Sequence, residues 1–414
     1  MASRADLEHL TEGRVLERVE LSVPEAEALN ASELVTAQPA DGAWLVTAAH
    51  AVGAVRVDEL VVRVQPKIGA VQALRLLARA HGVKNLRLDD APLDLGIDPD
   101  LHAVLALLFA EEAKGALATG PLRGYRTEDQ SLPVLRGRLR LRDQELRRFG
   151  MLVPLEVTFD EWTTDTDDNR RIRAAVQRLL GLPGLPDVLR ARLVHVDRLL
   201  ADVWLAPPGS PIPIWQPTRL NAPLHQLLRL ADLVLAGQTF EHRAGEVQAH
   251  GFVLKMEKLF EDLVTRLLQE LDDDVRLLPQ ATFKLDVKKR LTIQPDLVFF
   301  TGKRAVAVAD TKYKLLNEKK RLRNEDAYQL LAYCTRLQLD TGHLIYAVGI
   351  DDEDAAVPPV HTFESSPITL RVHRIDLKRG IPDLEQDVRL LREGILDISR
   401  TIPGPLAASV FTHA

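Results

Sequence analysis

Three residues in two neighbouring apolar runs could do chemistry together. They are Asp296 in "LTIQPDLVFF" (291–300), and Asp310 and Lys312 in "AVAVADTKYK" (305–314). A carboxylate inside an apolar strand is costly unless it is paired or holds a cation. Side chains alternate along a strand, so Asp310 and Lys312 share a face with Val306, Val308 and Lys314, the first two about 7 Å apart. If the runs pair as a hairpin through "TGKR", Asp296 comes to lie near Asp310. Two close carboxylates repel, and a divalent cation relieves the repulsion. Magnesium takes one or two carboxylates together with water and substrate phosphate. A nearby lysine can orient or deprotonate a water and offset charge building on phosphorus. This is equipment for metal-assisted phosphodiester hydrolysis. Taken singly, Asp296 also reads as a turn-side residue and Asp310–Lys312 as an exposed ion pair. The conjunction favours a site: Pro-Asp on one run, Asp-x-Lys on the next, an apolar run before each. Pro295 suits a bulge or an edge, where a strand opens.

The elements that must position these residues are legible around them. "LKMEKLFEDLVTRLLQEL" (254–271) has apolar residues at 256, 259, 260, 263, 264, 267, 268 and 271, the stripe of an amphipathic helix. "ATFKLDV" (281–287) alternates like a strand. "NEDAYQLLAYCTRLQ" (324–338) reads as a helix with Asn324 as its N-cap, and "GHLIYAVGI" (342–350) as a strand. The order helix, three strands, helix, strand describes a compact α/β unit. Upstream, "AWLVTAAHAVGAVRV" and "ELVVRVQPKIG" are strand-like, and "VQALRLLARAHG" and "LHAVLALLFAEEAKGAL" have helical spacing. Residues 168–250 read as mostly helical, broken by "GLPGLP" and the Pro-rich loop "APPGSPIPIWQP" (206–217).

The motif pair resembles the PD-(D/E)xK nuclease signature, with thirteen residues between the two aspartates. "YQLLAY" adds the Gln-x-x-x-Tyr pattern of the RecB-like branch as Gln329 and Tyr333, one helical turn apart on one face. More narrowly, "MEKLFEDLV", "PDLVF", "DTKYK" and "DAYQLLAY", in this order, resemble the McrC family, the nuclease subunit of modified-cytosine-dependent restriction systems. "LVVRVQPKIG", "LLARAHG", "LPVLRGRLRLRDQ" and "FDEWTTDTDDNRRIRAAVQRLL" extend the likeness upstream. The resemblance implies a mixed α/β chain: a β-rich and helical N-terminal region, then a PD-(D/E)xK restriction-endonuclease-like domain. It implies Asp296 and Asp310 as ligands of Mg²⁺ or Mn²⁺ and Lys312 as the catalytic lysine. Glu261 would be a supporting acid and metal ligand, with Glu257 one turn away as the other choice. Gln329 and Tyr333 would orient the site or touch DNA; Tyr333 reads equally as a core aromatic.

Charge and composition bound the rest. Hydrophobic residues make up 46% and charged residues 27%, ordinary for a globular protein. The chain carries −6 overall, yet residues 284–323 hold twelve Lys or Arg against four Asp or Glu. A basic stripe beside an acidic centre suits a polyanion, since phosphate contacts supply most non-specific affinity. A solvated loop would give the same count. The single cysteine, Cys334, excludes an intramolecular disulfide and a multi-cysteine zinc site, and suits a reducing cytoplasm. No run is long enough to span a membrane. There is no P-loop and no evident DNA-reading motif. A nuclease without either points to another subunit as reader and motor, and the resemblance implies an McrB-like AAA+ GTPase ring, with GTP entering only through that partner. The expected division is 1–115 for partner docking, 116–250 as a helical middle region, and 251–414 as the nuclease. The segment 121–148, with eight Arg against four acids, would be the tip that meets the ring or DNA, or a solvated hairpin. Expected partners are double-stranded DNA, the ring and a second copy of the chain, with no membrane. The expected function is phage defence by cleavage of DNA containing modified cytosine such as 5-methylcytosine. Two alternatives remain: a stand-alone RecB-like repair nuclease, and a non-catalytic activator of an AAA+ partner.

Overall fold

A computed structural model describes residues 4–82, 101–207, 210–236, 238–244, 247–271, 274–286, 288, 290–313, 323–349, 360–364 and 366–401. Helices and sheets alternate, so the chain is mixed α/β. It packs as two compact units: one joins residues 1–87, 96–101 and 240–414, the other 88–95 and 102–239. This differs from a three-part division at 115 and 250, because the first 82 residues pack with the last third of the chain.

The reason lies in one sheet. Its strand order is Leu10–Thr11, Leu60–Gln65, Ala51–Val57, Val247–Lys255, Gln238–Ala244. Residues 249–255 pair antiparallel with 51–57, across almost two hundred positions of sequence. Gly53 permits that pairing: its φ is +138°, and a Cβ there would lie 2.0 Å from the Phe252 carbonyl oxygen. Residues 238–244 and 247–250, read from sequence as the end of a helical region, are therefore in strands. Arg79, on the helix Ala70–Ala80, reaches Glu270 at 2.6 Å and Glu385 at 2.7 Å, so three helices share one buried cation.

The same unit holds a six-stranded mixed sheet. Its order is Arg276–Pro279, Leu297–Thr301, Arg304–Lys312, Thr341–Val348, Ser366–Asp376, Val360–Phe363. The hairpin Leu297–Thr301/Arg304–Lys312 is antiparallel, with Leu297 opposite Ala309. Arg304–Lys312 and Thr341–Val348 are parallel, with Asp310 opposite Leu344, and the helix Asn324–Leu337 lies between them in sequence. Its apolar face buries Leu330, Tyr333 and Cys334 against Val308, Leu344 and Leu370. Helix Met256–Gln269 buries Met256, Leu259, Phe260, Leu263, Val264, Leu267 and Leu268, nearly the full stripe expected.

Two expectations change. Arg323, not Asn324, occupies the N-cap position, and Asn324 is the first helical residue. "LTIQPDLVFF" is broken: Thr292–Ile293 pairs with Phe283–Lys284 in a separate ribbon, and the sheet strand starts only at Leu297. Pro295 lies in the break, where a missing N–H and a fixed φ end a ladder. Val360–Phe363, Ser366–Asp376 and the helix Ile381–Thr401 complete this unit.

The second unit contains a three-stranded sheet in the order Gly124–Leu132, Leu155–Thr163, Arg138–Leu139, with helices Leu141–Arg148, Asp167–Leu180, Asp187–Leu199 and His225–Ala236. Glu156 sits at its centre, bonded to Arg140, Arg148 and Ser131.

Candidate active site

Asp310 and Lys312 sit at the C-terminal end of the central strand, where a parallel α/β arrangement opens a crevice. Asp310 is 2% exposed. Its Oδ2 lies 2.5 Å from Lys312 Nζ in an ion pair, and among the described residues no other hydrogen bond reaches that buried oxygen. Burial pushes the Asp310 carboxyl up to about 6; the charges of Asp296 and Asp326 add to this and Lys312 opposes it. A carboxylate held in that state gains from a cation.

Asp296 immediately precedes Leu297, so the hairpin register carried one step further sets it against Asp310. Its Oδ2 accepts from the Thr311 amide and the Thr311 hydroxyl, both at 2.8 Å. Its Oδ1 accepts from Gln280 Nε2 at 3.0 Å, and the same nitrogen donates to Glu261 Oε1 at 2.6 Å. Glu261, on helix Met256–Gln269, thus joins the centre through Gln280, while Glu257 is exposed. Lys312 Nζ donates to Gln329 Oε1 at 3.0 Å and lies 3.9 Å from Asp326. Burial works to lower the Lys312 pKa, but the acids around it, Asp310 first, raise it overall, so the ammonium is charged. Gln329 passes the chain on to the Tyr333 hydroxyl at 2.6 Å. Burial, then the charge of Asp310, pushes the Tyr333 phenol up to about 12, so it stays a donor. The helical turn between Gln329 and Tyr333 brings them together as their spacing requires.

All six residues singled out from sequence therefore fall into one connected network. Three others were missed: Gln280, Thr311 and Asp326. Thr311 stands between the two motif residues, and only its hydroxyl marked it. Gln280 carried no signal, because its strand Arg276–Pro279 was not read. Asp326 accepts from the buried Tyr346 hydroxyl at 2.9 Å, a contact between helix and sheet that no spacing encodes. The basic stripe is only partly placed, since residues 314–322 lie outside the described residues.

The donor chemistry suits a hard divalent cation: two carboxylates, one with a buried oxygen whose partner among the described residues is Lys312. Among the described residues no three His, Cys, Asp or Glu side chains converge tightly enough to hold a metal ion. Magnesium does not need three, because it keeps waters and takes phosphate oxygens.

The class these observations define is a mixed α/β protein with a carboxylate–lysine centre at the end of its sheet. Residues 46–347 match the McrBC 5-methylcytosine restriction system component, and the chain belongs to that family. The likeness read from its motifs was to the same family. No curated protein matches the chain. Among solved structures, one chain of the refined half-complex from the tetradecameric assembly of Thermococcus gammatolerans McrB AAA+ hexamers with bound McrC is 18% identical. That match covers 93% of this chain and 99% of that one, at a TM-score of 0.58. At this identity the likeness is one of fold. A chain of the cryo-EM structure of the Thermococcus gammatolerans McrBC complex is 20% identical over 63% of this chain and 86% of that one, at a TM-score of 0.40. Among the described residues, no helix is long and apolar enough to cross a membrane.

Proposed function

We propose that this chain is the Mg²⁺-dependent DNA endonuclease subunit, the McrC-like member, of an McrBC-type restriction complex. In this reading it cleaves DNA containing modified cytosine and works with an AAA+ GTPase ring that reads and moves the DNA. The observation that carries the reading is the buried Asp310 carboxylate, paired with Lys312 at 2.5 Å, its pKa pushed up by its own burial and the charge of Asp296. The six-stranded sheet is then the core of the PD-(D/E)xK domain. Asp296 and Asp310 hold the cation, with Glu261, tied to Asp296 by Gln280, as the outer acid of the same centre. A bound Mg²⁺ supplies positive charge to the phosphodiester and acidifies a water. Lys312 directs its ammonium at the charge developing on phosphorus. Gln329, bonded to both Lys312 and Tyr333, holds that ammonium in place.

The partner assignment rests on family membership and on the solved half-complex, in which McrB AAA+ hexamers carry bound McrC. The second unit of this chain presents an exposed apolar segment that would serve such a contact. Phe149 is 88% and Leu152 83% exposed, beside Leu141, Leu146 and Met151, in a segment rich in arginine. Exposed apolar side chains in such a run mark an interaction site. The test is plasmid cleavage beside nucleotide turnover in the reconstituted complex. Asp310→Asn and Lys312→Ala should each abolish cleavage and leave ring turnover intact, and only Asp310→Asn should also lose Mg²⁺ binding. Undiminished cleavage by Asp310→Asn would remove the basis for the nuclease assignment and favour an activator role.

A further inference from the structure

Gln280 occupies an unusual position. It follows the strand Arg276–Pro279 directly, where Pro279 faces Leu297, and its backbone N–H donates to the Asp296 carbonyl at 2.9 Å. Its φ is +52°, the left-handed region that a branched-chain or long side chain enters only under constraint. From there one amide nitrogen donates to two carboxylates, Glu261 Oε1 at 2.6 Å and Asp296 Oδ1 at 3.0 Å. A glutamine amide has two N–H donors on that nitrogen, and a carboxylate can only accept, so the two acceptors fix which end of the amide points inward. The Gln280 carbonyl is itself held by Gln294 Nε2 at 3.2 Å. Backbone and side chain are thus both committed to keeping two negative groups, from a helix and from a loop, within reach of one donor.

We propose that Gln280 is a positioning residue for cation binding, a proposal that rests on the nuclease reading. Its amide tethers Glu261 to Asp296 in the metal-free chain, so the second carboxylate is already in place when a cation arrives. Without the tether, like charge drives the two carboxylates apart, and Glu261 Oε1 is left to Lys258, whose Nζ already donates to it at 3.2 Å from its own helix. Ordering Glu261 then has to be done by the cation, at a cost in affinity.

The side-chain role can be separated from the backbone role. Asn and Gly both favour the left-handed region, so Gln280→Asn and Gln280→Gly keep or ease the backbone. Asn retains the amide but is one methylene too short to span the carboxylates. Binding of Ca²⁺, a non-hydrolytic oxygen-seeking probe, is measured by calorimetry on the full chain, with melting in EDTA as a folding control. Both variants should bind Ca²⁺ about tenfold more weakly while melting no lower than the unaltered chain. Glu261→Gln should lose a similar factor, and Gln280→Asn combined with Glu261→Gln should be no weaker than either alone, because the two act as one unit. Unchanged Ca²⁺ affinity in Gln280→Asn, or losses that multiply in the double variant, would overturn the proposal. Asp310→Asn serves as the separate control. If it abolishes Ca²⁺ binding while the Gln280 variants bind normally, the tether fails and the nuclease centre stands. Normal Ca²⁺ binding by Asp310→Asn, or none by the unaltered chain, overturns the metal centre and the tether with it.

Discussion

At the scale of the residue, the centre is an electrostatic compromise. Asp310 is buried beside two other acids and offset by one lysine, and its carboxyl titrates near 6. The folded chain therefore binds this proton more tightly than the unfolded chain does. The group's contribution to stability is greatest in acid and is lost as pH rises from about 4 through about 6. Asp310→Asn removes the titration. In EDTA at pH 8 the variant should melt above the unaltered chain, by about 2–4 °C for each kcal/mol of relieved strain in charge. The gap should close as pH falls to 5. Thermal midpoints across that range check the point, and a gap that widens toward acid would contradict the burial argument. Thr311 belongs at this scale too. Its hydroxyl and amide both serve Asp296, so Thr311→Val keeps the shape and the amide but drops the hydroxyl bond. A loss of roughly 1 kcal/mol in stability is expected, with weaker Ca²⁺ binding.

At the scale of the element, the exposed segment of the second unit depends on a buried acid. Glu156 is 1% exposed at its side chain and ties Arg140, Arg148 and Ser131 to the strand Leu155–Thr163. Ser131 and Arg148 hold its carboxyl below the usual range. Glu156→Ala leaves several arginines close together without their anion. Amide exchange across 138–163 should accelerate in that variant while exchange across 297–348 stays unchanged; protection that stays level in 138–163 would show that the sheet does not need the acid. The surface this element carries has its own test. Phe149→Asp with Leu152→Asp places two charges where an apolar partner is expected. Affinity for an McrB-like ring should fall by at least tenfold, since exposed aromatic anchors dominate such interfaces. The melting temperature should not move, as neither side chain is packed.

At the scale of the whole molecule, the start of the chain is part of the unit that holds the candidate centre. The strand Ala51–Val57 supplies the partner for Val247–Lys255, and Tyr313, next to Lys312, donates to the buried Glu12 at 3.0 Å. A division of the chain at 250 implies that a fragment from 251 onward folds alone. The packing predicts otherwise: a fragment of 240–414 exposes the edge of Val247–Lys255 and the faces of helices Met256–Gln269 and Ile381–Thr401, and should be insoluble or molten. A soluble 240–414 fragment with a cooperative melt would refute this. Tyr313→Phe removes one hydrogen bond to a buried carboxylate, and about 1–3 kcal/mol of stability should go with it by urea unfolding.

The sequence by itself determined the local terms. Period two placed Asp310 and Lys312 on one face. Period 3.6 placed Gln329 above Tyr333 and drew the apolar stripe of 256–268. These follow from backbone geometry repeated over a few residues, so spacing alone reveals them. The tertiary structure decided everything that joins distant segments. It broke the strand at Pro295 and left Asp296 on a loop, and it set Gln280 between Glu261 and Asp296. It paired residues near 55 with residues near 250, and it built residues 360–401 into the sheet's unit. Such pairings depend on which edges and faces remain uncovered once local elements have formed, and that is a property of the whole chain, not of any window within it.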